Sequence, residues 1–271
     1  MPTMGECAYF SDNAYGTPGG ALAHSLRDSW RRMQSTIDAG YLDNPDTGFR
    51  AHVYLNETKK EVVIAFAGTT FSDKRDRKAC WDIATGRLPQ QFWNASDLYD
   101  KVTQQMKIEN MQAQISFTGH SLGGALAQYM AIAAQGCPAV NFGGPGVLDA
   151  LGNLRSKYNP AYAYPVVNHL ALGDEFANFG RHVGTVHCYS FEHSGNAKPG
   201  SLPNDESEMV FRFLVTMKNH SMETYIKELK QLKLMSSFGK ERITHINGVT
   251  YRVVTELNLT GQVRKEILVR V

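Results

Sequence analysis

Residues 119–124 read Gly119-His120-Ser121-Leu122-Gly123-Gly124, a Gly-x-Ser-x-Gly turn. A glycine two residues to either side of a serine suits a sharp strand-to-helix turn. Side chains there would clash where the serine is held in strained backbone geometry. A β-rich run, Ile115-Ser116-Phe117-Thr118, leads into the turn, and the small-residue run Ala125-Leu126-Ala127-Gln128-Tyr129-Met130-Ala131 leaves it. A serine that merely caps a helix behind a glycine would share the three motif residues. The strand before, the Ala-rich helix after and the extra glycine at 124 favour a nucleophile, Ser121. His120 is too close in sequence to turn back onto Ser121 as a base, and is expected to pack beside the turn.

A serine hydroxyl attacks a carbonyl only when a base takes its proton, and the base needs an acid group to fix its tautomer. Behind a turn of this kind the chain order is serine, acid, histidine. The acids that follow include Asp149, Asp174, Glu175, Glu192 and Asp205, and the histidines are His169, His182, His187, His193, His220 and His245. Asp174, behind Gly173, sits just past a strand, where side chains reach the carboxyl edge of a sheet; Glu175 has nearly the same position. His187 lies within a strand pattern, whereas His220 has the order and polar, loop-like flanks, Lys218-Asn219-His220-Ser221. Two main-chain N–H groups are placed to hold an oxyanion. One belongs to Leu122, after the nucleophile, and the other to Thr69, in the Gly68-Thr69-Thr70 end of an apolar strand. Without the downstream serine turn, Gly68-Thr69 would read as an ordinary β-turn.

The elements that must position these groups follow from periodicity. Apolar residues Leu22, Leu26, Trp30, Met33 and Ile37 recur at helical spacing, predicting an amphipathic helix over 21–37. Residues 49–55 and 61–67 read as strands joined at Asn56-Glu57-Thr58. The second, Val62-Val63-Ile64-Ala65-Phe66-Ala67, is nearly all apolar, as expected of a strand covered on both faces. Leu98, Val102 and Met106 mark a helix. Strands follow at 139–142, 164–170 and 186–191, then a helix over 206–234. Strands alternating with helices predict an α/β fold with a mostly parallel central sheet flanked by helices. Residues 251–257 and 263–269 alternate well enough to add a C-terminal β-hairpin, and residues 245–271 form an extension of unassigned role to one domain spanning 1–271. Between 71 and 93, Phe71, Trp81, Ile83, Leu88, Phe92 and Trp93 lie among charges. That mixture suits a lid over an apolar cleft, and equally a piece of core.

Bulk properties exclude more than they select. The 271 residues carry 28 Lys+Arg against 26 Asp+Glu, so no polycationic surface for nucleic acid is expected. The four cysteines lack C-x-x-C spacing and read as reduced, structural thiols. The first residues show no basic stretch followed by an apolar run, and no apolar segment approaches transmembrane length. The expectation is a soluble protein, cytoplasmic or secreted without a visible signal peptide. His182, His187, Cys188 and His193 lie close together but fit no metal-ligand spacing, so neither metal nor cofactor is expected.

The chain resembles the class 3, fungal-type lipases, and in particular their bacterial members. The match includes Phe49-Arg50-Ala51-His52-Val53-Tyr54-Leu55-Asn56 leading into Glu61 through Thr69, then Trp81-Asp82. It continues through the Gly119–Gly124 turn, Gly173-Asp174, and His220 with Met222 just after, over roughly residues 14–229. The resemblance implies an α/β-hydrolase fold, a Ser121-His220-Asp174 triad and an oxyanion hole from Thr69 and Leu122. It also implies hydrolysis of acyl-lipid esters, with transient contact at a lipid surface. Two departures stand out. Ala67 replaces an arginine often found before the glycine of the oxyanion strand, and Asp174 lacks the usual Pro-Val or Ile-Val after it. Acylglycerol hydrolysis is the first expectation. Phospholipase A activity is the alternative, since Lys74, Arg75, Arg77 and Lys78 suit phosphate headgroups, and with no signal peptide visible it extends to a secreted bacterial effector. An inactive hydrolase fold that binds lipid or protein is the non-enzymatic reading.

Overall fold

The computed structural model describes residues 1–16, 26–33, 37–68, 82–83, 87–171, 174, 176–189, 220–231, 243–246, 249–257 and 263–270. Helix α1 (Met4–Asn13) opens the chain, and its start is written locally: Thr3 and Glu6 form a capping box in which each side chain takes the other's main-chain N–H. Strands β1 (Arg31–Arg32), β2 (Asp43–Asn44), β3 (Phe49–Asn56) and β4 (Glu61–Phe66) follow, with the short helix α2 (Ala39–Leu42) between β1 and β2. Helix α3 (Gln91–Ile108), β5 (Gln114–His120), α4 (Leu122–Ala133), β6 (Ala139–Phe142), β7 (Val166–Ala171), β8 (Thr185–Tyr189) and α5 (Met222–Gln231) follow in chain order.

The main sheet has eight strands in the order β1-β3-β4-β5-β6-β7-β8, with β2 also paired to β3. From β4 to β8 every neighbouring pair is parallel, whereas β3 runs antiparallel to β1, β2 and β4. Strand β4 shows why its sequence is a continuous apolar run. Val62, Ile64 and Phe66 enter the core beneath α3 and α4, and Val63 and Ala65 enter a second core with Phe10 of α1. A strand buried on both faces has no polar side to alternate with. The result is an α/β-hydrolase architecture of three layers, with α3 and α4 on one face and α1 and α5 on the other.

Residues 26–33 do not continue the helix expected over 21–37. Leu26 opens a turn, and Arg31–Arg32 pair with Leu55 and Tyr54 as an edge strand. Of the residues that set the helical spacing, Leu22 lies outside the described residues, and Leu26, Trp30, Met33 and Ile37 are buried, but in two different cores. Their spacing recorded burial, and the free edge of β3 took the backbone. At the other end the expected hairpin is present as β10 (Val249–Leu257) with β11 (Val263–Arg270), and a further strand, β9 (Ile243–Ile246), makes the sheet three-stranded. Of the aromatic stretch 71–93, Ile83 and Phe92 are core, Leu88 packs half-buried against it, and Trp93 is exposed on the first turn of α3; Phe71 and Trp81 lie outside the described residues. Among the described residues no helix is long and apolar enough to cross a membrane.

Candidate active site

The carboxyl ends of β4, β5 and β7 converge on one edge of the sheet. Strand β5 runs to His120, helix α4 begins at Leu122, and Ser121 between them has φ 57° and ψ −128°. A non-glycine residue held there carries backbone strain of about 1–3 kcal/mol, tolerated because the packed strand and helix leave the turn no alternative. The flanking glycines make the turn possible. A Cβ on Gly119 would run into the main chain of Gly123, and one on Gly123 would run into the carbonyl of Phe66. Helix α4 is buried from Leu122 to Ile132, which fixes the serine against the sheet. As the first helical residue, Leu122 has no carbonyl four positions back within the helix to receive its N–H, the property an oxyanion donor needs.

Asp174 lies just past β7, with its main-chain N–H donated to Ala171. Its carboxylate is fully buried and accepts twice: from the Ala177 N–H at 3.0 Å and from His220 Nδ1 at 2.7 Å. A carboxylate can only accept, so Nδ1 holds the imidazole proton and Nε2 presents a lone pair. Nε2 stands 2.8 Å from Ser121 Oγ, which donates to it. His220 sits in a turn two residues before α5, with the ring of Phe176 set edge-on to its imidazole at 5.2 Å and 89°. Three residues separated by 46 and 99 positions in sequence thus form one hydrogen-bonded line. Glu175, the competing acid, and Thr69, the expected second oxyanion donor, lie outside the described residues; Gly68, two residues past β4, packs against the His120 carbonyl and Ser121.

Of the other candidate histidines, His169, His182 and His187 make contacts within the fold. His169, inside β7, is buried with Nδ1 2.9 Å from the Tyr189 hydroxyl, and burial together with neighbouring His187 holds it neutral. His182 bonds the Ala177 carbonyl at 3.1 Å, and burial lowers its pKa to about 4. His187 stacks on His169. His245 lies within β9, and His193 is outside the described residues. Among the described residues no three His, Cys, Asp or Glu side chains gather as metal ligands do. Burial raises the pKa of the Cys7 and Cys137 thiols.

Sequence reasoning missed two tyrosines. Tyr15, shortly after α1, places its hydroxyl 2.6 Å from His120 Nδ1. Tyr225, within α5, accepts the Ala171 N–H at 3.0 Å through its own hydroxyl. Neither carries a local signal, because each acts on a strand far away in sequence. Arg50 bears on the departure at Ala67. Its carbonyl receives the Ala67 N–H, and its Nη1 donates to the Tyr15 carbonyl at 3.3 Å. Arg50 thus pairs its main chain with Ala67, while its guanidinium reaches the Tyr15 carbonyl and Asp43.

Known proteins share this architecture. The chain is 28% identical over 202 residues to the putative lipase ATG15 of Eremothecium gossypii, covering 58% of this chain and 36% of that protein. With the Cryptococcus neoformans putative lipase ATG15 it is 27% identical over 182 residues, covering 54% and 34%. The matched region thus spans about a third of the length of these relatives. Among solved structures, Lip2 lipase from Yarrowia lipolytica superposes with a TM-score of 0.51 at 13% identity, over 87% of this chain and 93% of that one. Lipase II from Rhizopus niveus gives 0.51 at 17% identity, over 80% and 92%. At such identities the superpositions speak for the fold alone. Residues 6–157, more than half of the chain, match the family model described as phospholipase-like, the Tle-like phospholipase domain, and the chain belongs to that family.

Proposed function

We propose that the protein is a serine carboxylic-ester hydrolase of the class 3 lipase type, acting on acyl lipids through an acyl-enzyme. The observation that carries this reading is the hydrogen-bonded line from Ser121 Oγ through His220 to Asp174, at 2.8 and 2.7 Å. In the first half-reaction His220 Nε2 takes the Ser121 proton as Oγ attacks the acyl carbonyl. The imidazolium is held by Asp174, and the carbonyl oxygen becomes an oxyanion facing the N–H groups of Leu122 and Thr69. His220 then returns the proton to the departing alcohol. In the second half-reaction water, deprotonated by His220, releases the fatty acid and restores the serine. Each oxyanion donor lowers the barrier by about 3 kcal/mol.

The family match favours phospholipids over neutral acylglycerols as the ester source, because the family is described as phospholipase-like. The basic run Lys74, Arg75, Arg77 and Lys78 supplies charge of the sign that a phosphate headgroup requires. The test is a turnover panel of short esters, triacylglycerols and diacyl phospholipids, with Ser121→Ala as control and fluorophosphonate labelling as a substrate-independent readout. Phospholipid turnover that vanishes with Ser121→Ala supports the reading. Turnover of triacylglycerol alone removes the phospholipid preference. Full activity in Ser121→Ala ends the mechanism, and a wild-type chain that neither labels nor turns over is the inactive binding module.

A further inference from the structure

We infer that Tyr15 and His120 form a positioning pair that holds the main chain of the base, His220, at the distance Ser121 requires; the inference rests on the acyl-transfer reading above. His120 Nε2 meets the main-chain carbonyl of His220, a contact across 100 residues. A carbonyl only accepts, so Nε2 must carry a proton. In a neutral imidazole Nδ1 is then an acceptor, and the Tyr15 hydroxyl, 2.6 Å away, donates to it. Burial and the neighbouring His220 keep His120 neutral. One tautomer satisfies both contacts. The other would set a bare nitrogen against a carbonyl oxygen, two acceptors facing each other inside the protein.

The pair matters because of where the base stands. The α5 ladder starts with the Tyr225 N–H donated to Ser221, one residue beyond His220, while the His220 carbonyl is taken by His120. His120 is the last residue of β5 and the immediate neighbour of the nucleophile, so one side chain ties base to serine turn. The two imidazole rings lie 4.8 Å apart. Tyr15 is itself fixed twice. Its carbonyl receives Arg50 Nη1 at 3.3 Å, and its hydroxyl fills the space that a side chain on Gly68 would need. The strand end before Thr69, the serine turn and the turn bearing His220 therefore meet at Tyr15 and His120. Displacing a reacting group by about 1 Å costs on the order of a hundredfold in rate.

The test measures phospholipid turnover, fluorophosphonate labelling rate and the ¹⁵N shifts of the His120 ring in the full chain. Wild type should show Nε2 protonated and Nδ1 bare. Tyr15→Phe should keep Nε2 protonated, because the buried His220 carbonyl still requires a donor, but shift the Nδ1 resonance as it loses its hydrogen bond, and lower kcat by roughly tenfold with KM unchanged within about twofold. His120→Leu should cost roughly a hundredfold, and His120→Gln, whose amide N–H reaches toward the same carbonyl, should recover most of it. Tyr15→Phe added to His120→Leu should cost nothing more, because the two act as one unit. Unchanged labelling and an unchanged Nδ1 shift in Tyr15→Phe would overturn the inference, as would a wild-type His120 protonated at Nδ1. A wild-type chain that shows the expected tautomer but never labels would instead overturn the acyl-transfer reading, and the positioning role with it.

Discussion

The Tyr225 hydroxyl accepts the main-chain N–H of Ala171 at 3.0 Å, so the helix that follows the base is fastened to the strand that leads to the acid. The bond crosses 54 residues and is fully buried. Its loss is expected to be felt as stability first. Tyr225→Phe leaves the Ala171 N–H without that acceptor, a cost of about 1–3 kcal/mol. Urea unfolding should show that loss, and a variant as stable as wild type would mean that the bond contributes little.

Ser121 should reverse the usual ranking of alanine and glycine. At φ 57° and ψ −128° a Cβ is strained and glycine is not. Ser121→Gly is expected to be at least as stable as Ser121→Ala, whereas at ordinary positions glycine costs about 0.5–1 kcal/mol relative to alanine. Both variants should lose turnover. Thermal unfolding of the pair checks the ranking, and a Ser121→Gly melting clearly below Ser121→Ala would contradict the strain.

Asp174 and Glu175 are adjacent, but only one of them is expected to matter for rate. Asp174→Asn should lower kcat by about 10⁴-fold, the scale reached when a triad acid loses its charge and the base its tautomer. Glu175→Gln should leave kcat close to wild type, because Asp174 already accepts from His220 Nδ1. Steady-state kinetics on both decide the matter. A collapse in Glu175→Gln with Asp174→Asn intact would reassign the acid.

Acid should weaken the fold through buried neutral histidines. Burial lowers His182 to a pKa of about 4, partly offset by its bond to the Ala177 carbonyl. Burial, then the cations Arg32 and Arg50, lower His52 to about 4 as well. Unfolded, both titrate near 6.5, so as pH falls the unfolded chain takes up these protons first. The contribution is complete above pH 6.5 and is lost between 6.5 and about 4, amounting to about 3 kcal/mol for each histidine. Urea unfolding at stepped pH should show stability falling over that window. His182→Gln, which keeps an N–H for Ala177, should flatten the slope by about 1.4 kcal/mol per pH unit. An unchanged slope would mean that His182 takes up its proton while folded.

Much of the chain could be read without a structure because its signals are local. The apolar run of β4, the glycines at 119 and 123, and the 3–4 residue spacing of Leu98, Val102 and Met106 each depend on neighbours within a turn or a strand. The helix expected over 21–37 went astray for a related reason. Leu26, Trp30, Met33 and Ile37 are buried, but an unpaired edge of β3 exists only once the sheet has assembled, and it claims Arg31 and Arg32 as a strand. The third strand of the C-terminal sheet, β9, pairs with β10 and has no long alternating run of its own.

The serine turn belongs to sequence and fold together. From sequence came the nucleophile candidate Ser121, the order of acid and histidine behind it, and the glycines that let the turn close. Tertiary structure brought Asp174 to His220 and His220 to Ser121, across 46 and 99 residues. It also gave His120 a partner in the His220 main chain and called in Tyr15 and Tyr225, residues with no motif of their own. The physical reason is that hydrogen-bond partners are set by where strands end. Strand ends meet only after the parallel sheet has fixed its order and register, which no local period of the sequence encodes.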